Sequence, residues 1–142
     1  MPSFEASQLA IYYQNTIAKV FPLSEIKQNL INDEVSIFIP ISVLFKETDK
    51  IFSSKADIFF NQIKNLLEKD FIQRKYVMDF ILFEDLISSQ SYPVYEHITT
   101  QRLEKVDKKM AQHGILAQNY SVGIEKGEAD FFKLHFRRRR DK

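Results

Sequence analysis

The segment at residues 75–83 constrains the fold most, because its side chains are apolar on both faces at all but one interior position. Its aromatic and branched residues favour a β-strand. Strands that are apolar on both faces usually lie inside a sheet that helices cover. Asp79 is the one charged residue within it, and the carboxylate pair Glu84-Asp85 follows it directly. The sequence therefore predicts an interior strand whose end carries two acids.

Two amphipathic helices are predicted before this strand. The first starts at Ser3, carries an apolar stripe and ends at Phe21-Pro22. The second follows Ser53, and a capping box formed by Ser54 and Asp57 would begin it. Its buried face would consist of Ala56, Phe59, Phe60, Ile63, Leu66 and Leu67.

Further segments alternate as strands do. Residues 35–45 predict a strand with an edge or bulge at Pro40, which cannot donate to a ladder. Residues 120–124 and 132–136 alternate around a turn near Gly127 and predict a β-hairpin. Residues 23–31 are ambiguous between helix and strand, and residues 86–96 are expected to form a loop.

A third helix is predicted within residues 98–115. Thr99 or Thr100 can cap its first turn, and Gly114 can end it in the left-handed conformation. Its apolar stripe would be Leu103, Val106 and Met110. On this assignment Arg102 lies in the first turn, where a cation opposes the helix dipole. An arginine there is the sharpest local indication of a binding function, although a solvated surface arginine explains it too.

Composition narrows the possible functions. The chain has 142 residues, which predicts one domain. It has no cysteine, which excludes thiolate metal sites and disulfides. Its net charge of +1 gives no overall attraction to nucleic acid or to an anionic membrane. No apolar run approaches the roughly 20 residues that span a bilayer. The first residues lack the basic and apolar regions of a secretory signal. We therefore expect either a cytosolic protein or a soluble fragment whose signal or anchor has been removed.

No catalytic constellation is recognisable. The three histidines lack the spacing of a helical metal pair, and there is no nucleophile elbow or P-loop. The sequence therefore predicts no enzyme activity, no metal and no cofactor. The four arginines at 137–140 could bind phosphate groups, or could keep a terminal edge strand soluble.

The order of features resembles the OmpA-like domain, a peptidoglycan-associating module of outer-membrane proteins, lipoproteins and flagellar stator subunits. The matching pieces within residues 34–137 are the strand ending Ser42-Val43-Leu44-Phe45, the helix from Ser53-Ser54-Lys55-Ala56 to Leu67, residues 75–85, and Ile98-Thr99-Thr100-Gln101-Arg102-Leu103 with Gly114-Ile115. The resemblance implies an α+β fold of βαβαββ type, with a mixed sheet, helices on one face and an extra N-terminal helix. Residues 1–142 would form a single domain, divided into an N-terminal helix and connector (1–33), an OmpA-like core (34–137) and a basic tail (138–142).

The resemblance also implies a ligand site. The family binds the diaminopimelate side chain of the peptidoglycan stem peptide, which carries an ammonium and a carboxylate. Transferred by position, Asp85 would pair with the ammonium, and Arg102 would take the carboxylate with help from backbone N–H groups of the same helix end. Thr99 belongs to the same implied site. Where the family has Gly-His-Thr-Asp, this chain has Leu82-Phe83-Glu84-Asp85.

Two classes of function follow as hypotheses. The first is a non-enzymatic envelope module, periplasmic or outer-membrane associated. It would act as a peptidoglycan anchor or, slightly favoured because Phe83 suggests an apolar contact surface, as a protein scaffold among subunits of a secretion or motor complex. No nucleic-acid partner is expected on this hypothesis. The alternative is a cytosolic α/β module that binds nucleic acid or a protein through the arginine tail.

Overall fold

The computed structural model describes residues 4–29, 31–46, 50–85 and 93–139. The α-helices are α1 (Phe4–Asn15), α2 (Ile17–Val20), α3 (Ala56–Leu67), α4 (Asp70–Lys75) and α5 (Pro93–Gln112). The strands are β1 (Glu25–Asn29), β2 (Glu34–Pro40), β3 (Tyr76–Glu84), β4 (Tyr120–Lys126) and β5 (Phe131–Arg138). Two short 3-10 turns lie at Ile41–Val43 and Ala117–Asn119.

The strands form one five-stranded mixed sheet in the order β1-β2-β5-β3-β4. β3 pairs antiparallel with β5 on one side and parallel with β4 on the other. The strand that is apolar on both faces therefore has neighbours at both edges, as the sequence predicts. The parallel β3–β4 pair needs a crossover connection, which contains α5.

The predicted hairpin between the last two strands is wrong. Both strands exist, but β3 lies between them, so β4 and β5 do not pair with each other. The short connection passes across the end of β3, where the Gly127 N–H donates to the Glu84 carbonyl at 3.1 Å. An alternating pattern fixes which face of a strand is buried, whereas it leaves the neighbouring strand undetermined.

The core lies on one face of the sheet, where the helices pack. Alternate residues of three neighbouring strands point into it: Val35, Ile37 and Ile39 of β2, Met78, Phe80 and Leu82 of β3, and Phe132, Leu134 and Phe136 of β5. The six residues predicted for the buried face of α3 are all buried. The Phe59 ring lies edge-on to that of Phe132, with centroids 5.3 Å apart, and joins α3 to the sheet.

The N-terminal helix is confirmed, with a break at Thr16 between α1 and α2. The Thr16 hydroxyl donates to the Tyr12 carbonyl at 2.6 Å. Leu9, Tyr13 and Ile17 of the predicted stripe join the core, whereas Val20 is 39% exposed. Ser3, the predicted start, lies outside the described residues.

The N-terminal region also supplies β1, which comes from the segment whose pattern is ambiguous. β1 pairs antiparallel with β2 at the sheet edge. Its burial pattern shows one half-buried residue among exposed ones, so it carries little apolar periodicity. This explains why the sequence does not distinguish a strand from a helix at residues 23–31.

β2 ends at Pro40, and the prediction of a strand through Phe45 is wrong beyond that residue. The chain turns into the 3-10 segment, where the Ile41 N–H donates to the Asp130 carbonyl at 2.7 Å. Phe45 then forms an isolated antiparallel bridge with Phe52. Proline at a strand end agrees with its missing donor.

The capping box predicted for α3 is wrong. The residue at the N-cap is Lys55, and no side chain caps the helix. The Ser53 hydroxyl instead accepts a bond from the Lys55 N–H at 3.2 Å. Asp57 faces Lys109 of α5, with Nζ and Oδ1 3.0 Å apart, and its hydrogen bond with Lys109 holds the pKa of Asp57 below its usual value.

α5 begins at Pro93, well before the threonines predicted to cap it. Pro93 occupies the first helical position, where the missing N–H has no intrahelical partner to lose. The loop prediction is therefore wrong for residues 93–96, and residues 86–92 lie outside the described residues. Of the predicted stripe, Val106 and Met110 are fully buried, and Leu103 packs against the same core.

The predicted end of α5 is confirmed. Gly114 has a φ of +78°, in the left-handed region. The Gly114 N–H donates to the Ala111 carbonyl and the Ile115 N–H to the Met110 carbonyl, both at 3.0 Å. This pair of bonds is the Schellman motif, which satisfies carbonyls that the helix end would leave open.

Candidate functional site

A cleft of about 500 Å³ opens at the end of β3, between α5 and the turn that follows β2. Four chain segments line it: Ile41, Ser42, Phe45 and Lys46 after β2; Leu82, Phe83, Glu84 and Asp85 at the end of β3; Ile98, Thr99 and Arg102 on α5; and Ala129 and Asp130 before β5. The cleft thus lies where the central strand ends and the crossover helix passes.

The three residues proposed from the resemblance all line this one cleft. Asp85 follows the last residue of β3 and is exposed. Thr99 and Arg102 are three positions apart on α5, so they lie on one face of the helix, and both are half-buried. The structure therefore brings together the acid of the strand end and the base of the helix. Their role in binding a ligand stays a prediction.

The prediction that Arg102 lies in the first turn of its helix is wrong. Arg102 lies nine positions after Pro93, the first residue of α5, which places it about 13 Å along the helix axis. The partial charge of a helix dipole is concentrated in the first turn. Arg102 therefore does not oppose the dipole, and the free N–H groups of a helix end do not accompany it.

Contacts from the segment after β2 hold Arg102 instead. Its guanidinium carbon lies 4.8 Å from the centroid of the Phe45 ring, a cation–π geometry. One guanidinium nitrogen, Nη2, donates to the Lys46 carbonyl at 3.4 Å. The Phe45 ring stacks in turn on Phe52, with centroids 5.1 Å apart and planes 17° apart. The sequence gives no sign of this role for Phe45, because the pattern of residues 35–45 predicts that Phe45 is the last residue of a strand.

The cleft combines charges of both signs with apolar walls. Its carboxylates belong to Glu84, Asp85 and Asp130, and its cations to Lys46 and Arg102. Apolar residues such as Ile41, Leu82 and Ile98 complete the lining. A ligand suited to this arrangement has an aliphatic portion and an end that carries both a cation and an anion.

The Phe83 ring packs against neighbouring side chains on the sheet face opposite the main core. It stacks on Phe38 with centroids 6.4 Å apart and planes 7° apart, and Lys133 Nζ lies 5.7 Å from its centroid. A Cβ added to Gly127 would come within 2.6 Å of the ring. Phe38, Phe83 and Lys133 thus form a half-buried cluster, which we call the aromatic pair surface.

Asp79, the charged residue in the interior of β3, is paired with side chains of the two neighbouring strands. It sits on a half-buried position of β3, where Arg137 Nε lies 2.8 Å from one carboxylate oxygen. The Ser121 hydroxyl donates to the other oxygen at 2.6 Å. The charge that interrupts the apolar segment is therefore paired across three neighbouring strands.

The described arginines of the basic run also have partners within the chain. Arg138 Nη1 lies 3.1 Å from an Asp33 oxygen. The Arg139 guanidinium donates to the backbone carbonyls of Gln73, Gln118 and Tyr76 at 3.2–3.3 Å, and to the side chain of Asn119. Arg140 and the two residues after it lie outside the described part of the chain.

His113 and His135 each contact a polar neighbour. His113 Nδ1 lies 3.0 Å from Asn61 Oδ1, and His135 Nδ1 lies 2.8 Å from the Ser36 hydroxyl. Within the described ranges no group of three histidine or acidic side chains could hold a metal ion. Among the same residues, no helix has the length and apolar character needed to cross a membrane.

A five-stranded mixed sheet, with helices on one face and a charged cleft at the end of β3, defines the class: the chain has an OmpA-like fold. Its structure is similar to the periplasmic domain of Helicobacter pylori MotB, with a TM-score of 0.68 and 15% identity, over 88% of this chain and 85% of that one. It is similar to the cell wall anchor of the T6SS from Pseudomonas aeruginosa, with a TM-score of 0.64 and 13% identity, over 92% and 97% of the two chains.

The OmpA-like domain of FopA1 from Francisella tularensis is also similar, with a TM-score of 0.51 and 10% identity, over 82% of this chain and 83% of that one. The sequence matches no protein-family model and no curated protein. At identities this low, the structural similarity establishes a shared fold. That fold is the one the resemblance implies.

Proposed function

We propose that this chain is a non-enzymatic module of the bacterial cell envelope, periplasmic or outer-membrane associated, whose cleft binds the peptidoglycan stem peptide. One structural neighbour is a periplasmic domain and another a cell wall anchor, which supports this compartment and this partner. The observation that carries the proposal is the single cleft that Asp85, Thr99 and Arg102 all line.

The chemistry of recognition follows from the lining. The diaminopimelate side chain presents an ammonium and a carboxylate on one carbon, at the end of a methylene chain. Asp85 pairs with the ammonium, while the planar guanidinium of Arg102 takes the carboxylate through two parallel hydrogen bonds. Thr99 adds a hydroxyl on the same helix face, and the apolar wall contacts the methylenes. No bond of the ligand is broken.

The aromatic pair surface favours a second role in the same compartment, as a scaffold that contacts other subunits of an envelope complex. Its stacked rings are half-buried on the sheet face opposite the main core, and Lys133 lies beside them. Exposed apolar patches on a protein surface commonly mark protein contacts. A folded chain that fails to bind peptidoglycan, but captures an envelope subunit through this surface, would favour the scaffold.

We propose that the described residues fold as one domain. Its parts would be an N-terminal helix and connector (1–33), an OmpA-like core (34–137) and a basic tail (138–142). A single buried cluster extends from Leu9 in α1 to Phe136 in β5, which supports this unity.

Co-sedimentation with purified diaminopimelate-type peptidoglycan sacculi tests the proposed function. The wild-type chain should pellet with the sacculi, and a much smaller fraction of Arg102→Ala should do so. Arg74→Ala is the matched control, because Arg74 forms an exposed ion pair with Asp70 on α4, away from the cleft. Wild-type protein that stays in solution, or equal pelleting of both variants, would contradict the proposal.

The contacts of Arg137, Arg138 and Arg139 weigh against the alternative of a nucleic-acid module, because their guanidinium groups already face protein acceptors. A steep salt dependence of oligonucleotide binding that disappears when residues 137–142 are deleted would favour that alternative.

A further inference from the structure

We propose that Phe45 is a positioning residue for the ligand site, because its ring fixes the plane of the Arg102 guanidinium in the cleft. This inference rests on the proposed function and adds to it a residue that makes the arginine fork rigid before ligand arrives.

The contact itself is built from a buried ring and a half-buried cation. Phe45 is 2% exposed, and its ring centroid lies 4.8 Å from the guanidinium carbon of Arg102. A guanidinium over an aromatic face is attracted by the ring quadrupole and can lie flat upon it. The hydrogen bond from Nη2 to the Lys46 carbonyl, at 3.4 Å, then restrains rotation within that plane.

Phe45 is itself held by a second ring. It stacks on Phe52 at 5.1 Å, and the two residues form an isolated antiparallel bridge. Phe52 lies edge-on to Phe60 of α3, with centroids 5.8 Å apart. The ring under Arg102 is therefore anchored to the core, so that it can serve as a fixed support.

The same pair of rings sets the position of α5. Arg102 and Lys109 are seven residues apart on α5, which puts them two turns apart on one face. Lys109 Nζ lies 5.5 Å from the centroid of the Phe52 ring, so each cation of the helix lies over one ring of the pair. Two points of contact fix the helix against the segment after β2 along its axis and around it.

A guanidinium group that is already held in place before the ligand binds raises affinity. An arginine side chain that must be ordered on binding loses conformational freedom at that moment, which weakens the complex. With Phe45 beneath it, Arg102 is ordered in the free protein, and its fork is presented toward the cleft that Asp85 also lines.

The test measures the dissociation constant of a diaminopimelate-containing stem tripeptide by calorimetry for a set of matched variants. Phe45→Leu removes the ring under Arg102 and should raise Kd about three- to tenfold, the range expected for a lost cation–π contact. Phe21→Leu is the matched control, because it removes a buried ring that packs on Phe59 outside the cleft lining, and it should change Kd less than about twofold. Phe45→Tyr keeps the ring face and should retain near wild-type affinity.

A double-mutant cycle separates positioning from general packing. In an Arg102→Ala background, Phe45→Leu should have no further effect on Kd, because the ring then has nothing to position. Side-chain NMR gives a readout that needs no ligand: the Arg102 δ protons should be shifted upfield by the Phe45 ring current, and Phe21→Leu should keep that shift.

The outcomes are distinguishable from failure of the proposed function. If the wild-type chain binds the tripeptide and Phe45→Leu weakens binding no more than Phe21→Leu does, the positioning role is overturned while the proposed function stands. If the wild type shows no saturable binding, both fall. Should Phe45→Leu not fold, Arg102 δ protons at unshifted positions in the wild type would overturn the inference.

Discussion

Gly127 and Gly123 differ in what a side chain would meet, although both belong to the same end of the chain. A Cβ on Gly127 would lie 2.6 Å from the Phe83 ring, whereas one on Gly123 would meet nothing within 4 Å. We expect Gly127→Ala to lower the free energy of unfolding by about 1–3 kcal/mol, the usual cost of overpacking. Gly123→Ala, as the matched control, should leave it nearly unchanged in urea denaturation.

A second variant decides whether the ring is responsible. In a Phe83→Ala background, Gly127→Ala should lose most of its cost, because the space beside residue 127 is then open. An undiminished cost in that background would mean that backbone conformation, rather than contact with Phe83, requires glycine.

Tyr120 should titrate unusually late. Partial burial, together with the hydrogen bond that its hydroxyl donates to Asp107 at 2.8 Å, raises the pKa of Tyr120 to about 12 from a usual 10.0. Because this pKa is raised on folding, its contribution to stability is complete below pH 10.0 and is lost as the pH rises through about 12. Absorbance titration at alkaline pH, compared with Tyr120→Phe to assign the signal, measures the shift.

The same titration of the Asp107→Asn variant shows how much the Asp107 charge contributes to the raised pKa of Tyr120. The substitution removes the charge that opposes ionisation of Tyr120, so the pKa should fall while partial burial keeps it above the usual value. A Tyr120 signal that titrates with the other tyrosines in the wild type would contradict the contact between α5 and β4.

α5 shows which element boundaries the sequence could reveal. Its C-terminal end is marked by Gly114, whose left-handed φ few other residues adopt cheaply, so a local signal exists. Its N-terminal end has no such local signal. Thr99 and Thr100 are residues of a type that often caps helices, yet both lie inside the helix. Local capping preference of about 1 kcal/mol is easily overridden by tertiary packing.

Gly114→Ala tests the helix end. With φ at +78°, an alanine there is strained, and we expect a loss of about 1 kcal/mol in the free energy of unfolding. The added methyl would meet only the end of the Lys64 side chain, at 3.8 Å, so conformation rather than space is the cause. Thermal denaturation beside Gly123→Ala measures it, and equal midpoints for the two variants would contradict the assignment.

Strand pairing was harder to predict than strand existence. The segments predicted as β3, β4 and β5 all form strands. However, β4 and β5 lie on opposite sides of β3 and do not pair with each other. Pairing depends on the crossover through α5 and on the core that the whole sheet shares, neither of which a local pattern encodes. The resemblance to a known family implied a mixed sheet with helices on one face.

At the scale of the molecule, the candidate site could be predicted in part. Asp85 and Arg102 are far apart in sequence, and their meeting in one cleft follows from the fold that the family resemblance implied. The support beneath Arg102 could not be predicted, because Phe45 reaches it only after β2 ends and the chain turns.

The shared core predicts cooperative unfolding of the whole chain. The Phe59 ring contacts Phe21 from the N-terminal region as well as Phe80 and Phe132 of the sheet. Thermal unfolding should therefore be one transition by both circular dichroism and calorimetry, and Phe59→Ala should cost about 3–5 kcal/mol. An early transition of the first 33 residues would contradict a single domain. Ile58→Ala, on the exposed side of α3, is the control.

The most direct test of the account compares two stem tripeptides that differ only in the third residue, diaminopimelate or lysine. Both carry the ammonium that Asp85 would pair with, but only diaminopimelate has the carboxylate for Arg102. We predict that the wild-type chain binds the diaminopimelate peptide at least about tenfold more tightly, a difference of about 1.4 kcal/mol, and that Arg102→Ala abolishes this preference. Equal affinity for the two peptides, or no saturable binding of either, would contradict it.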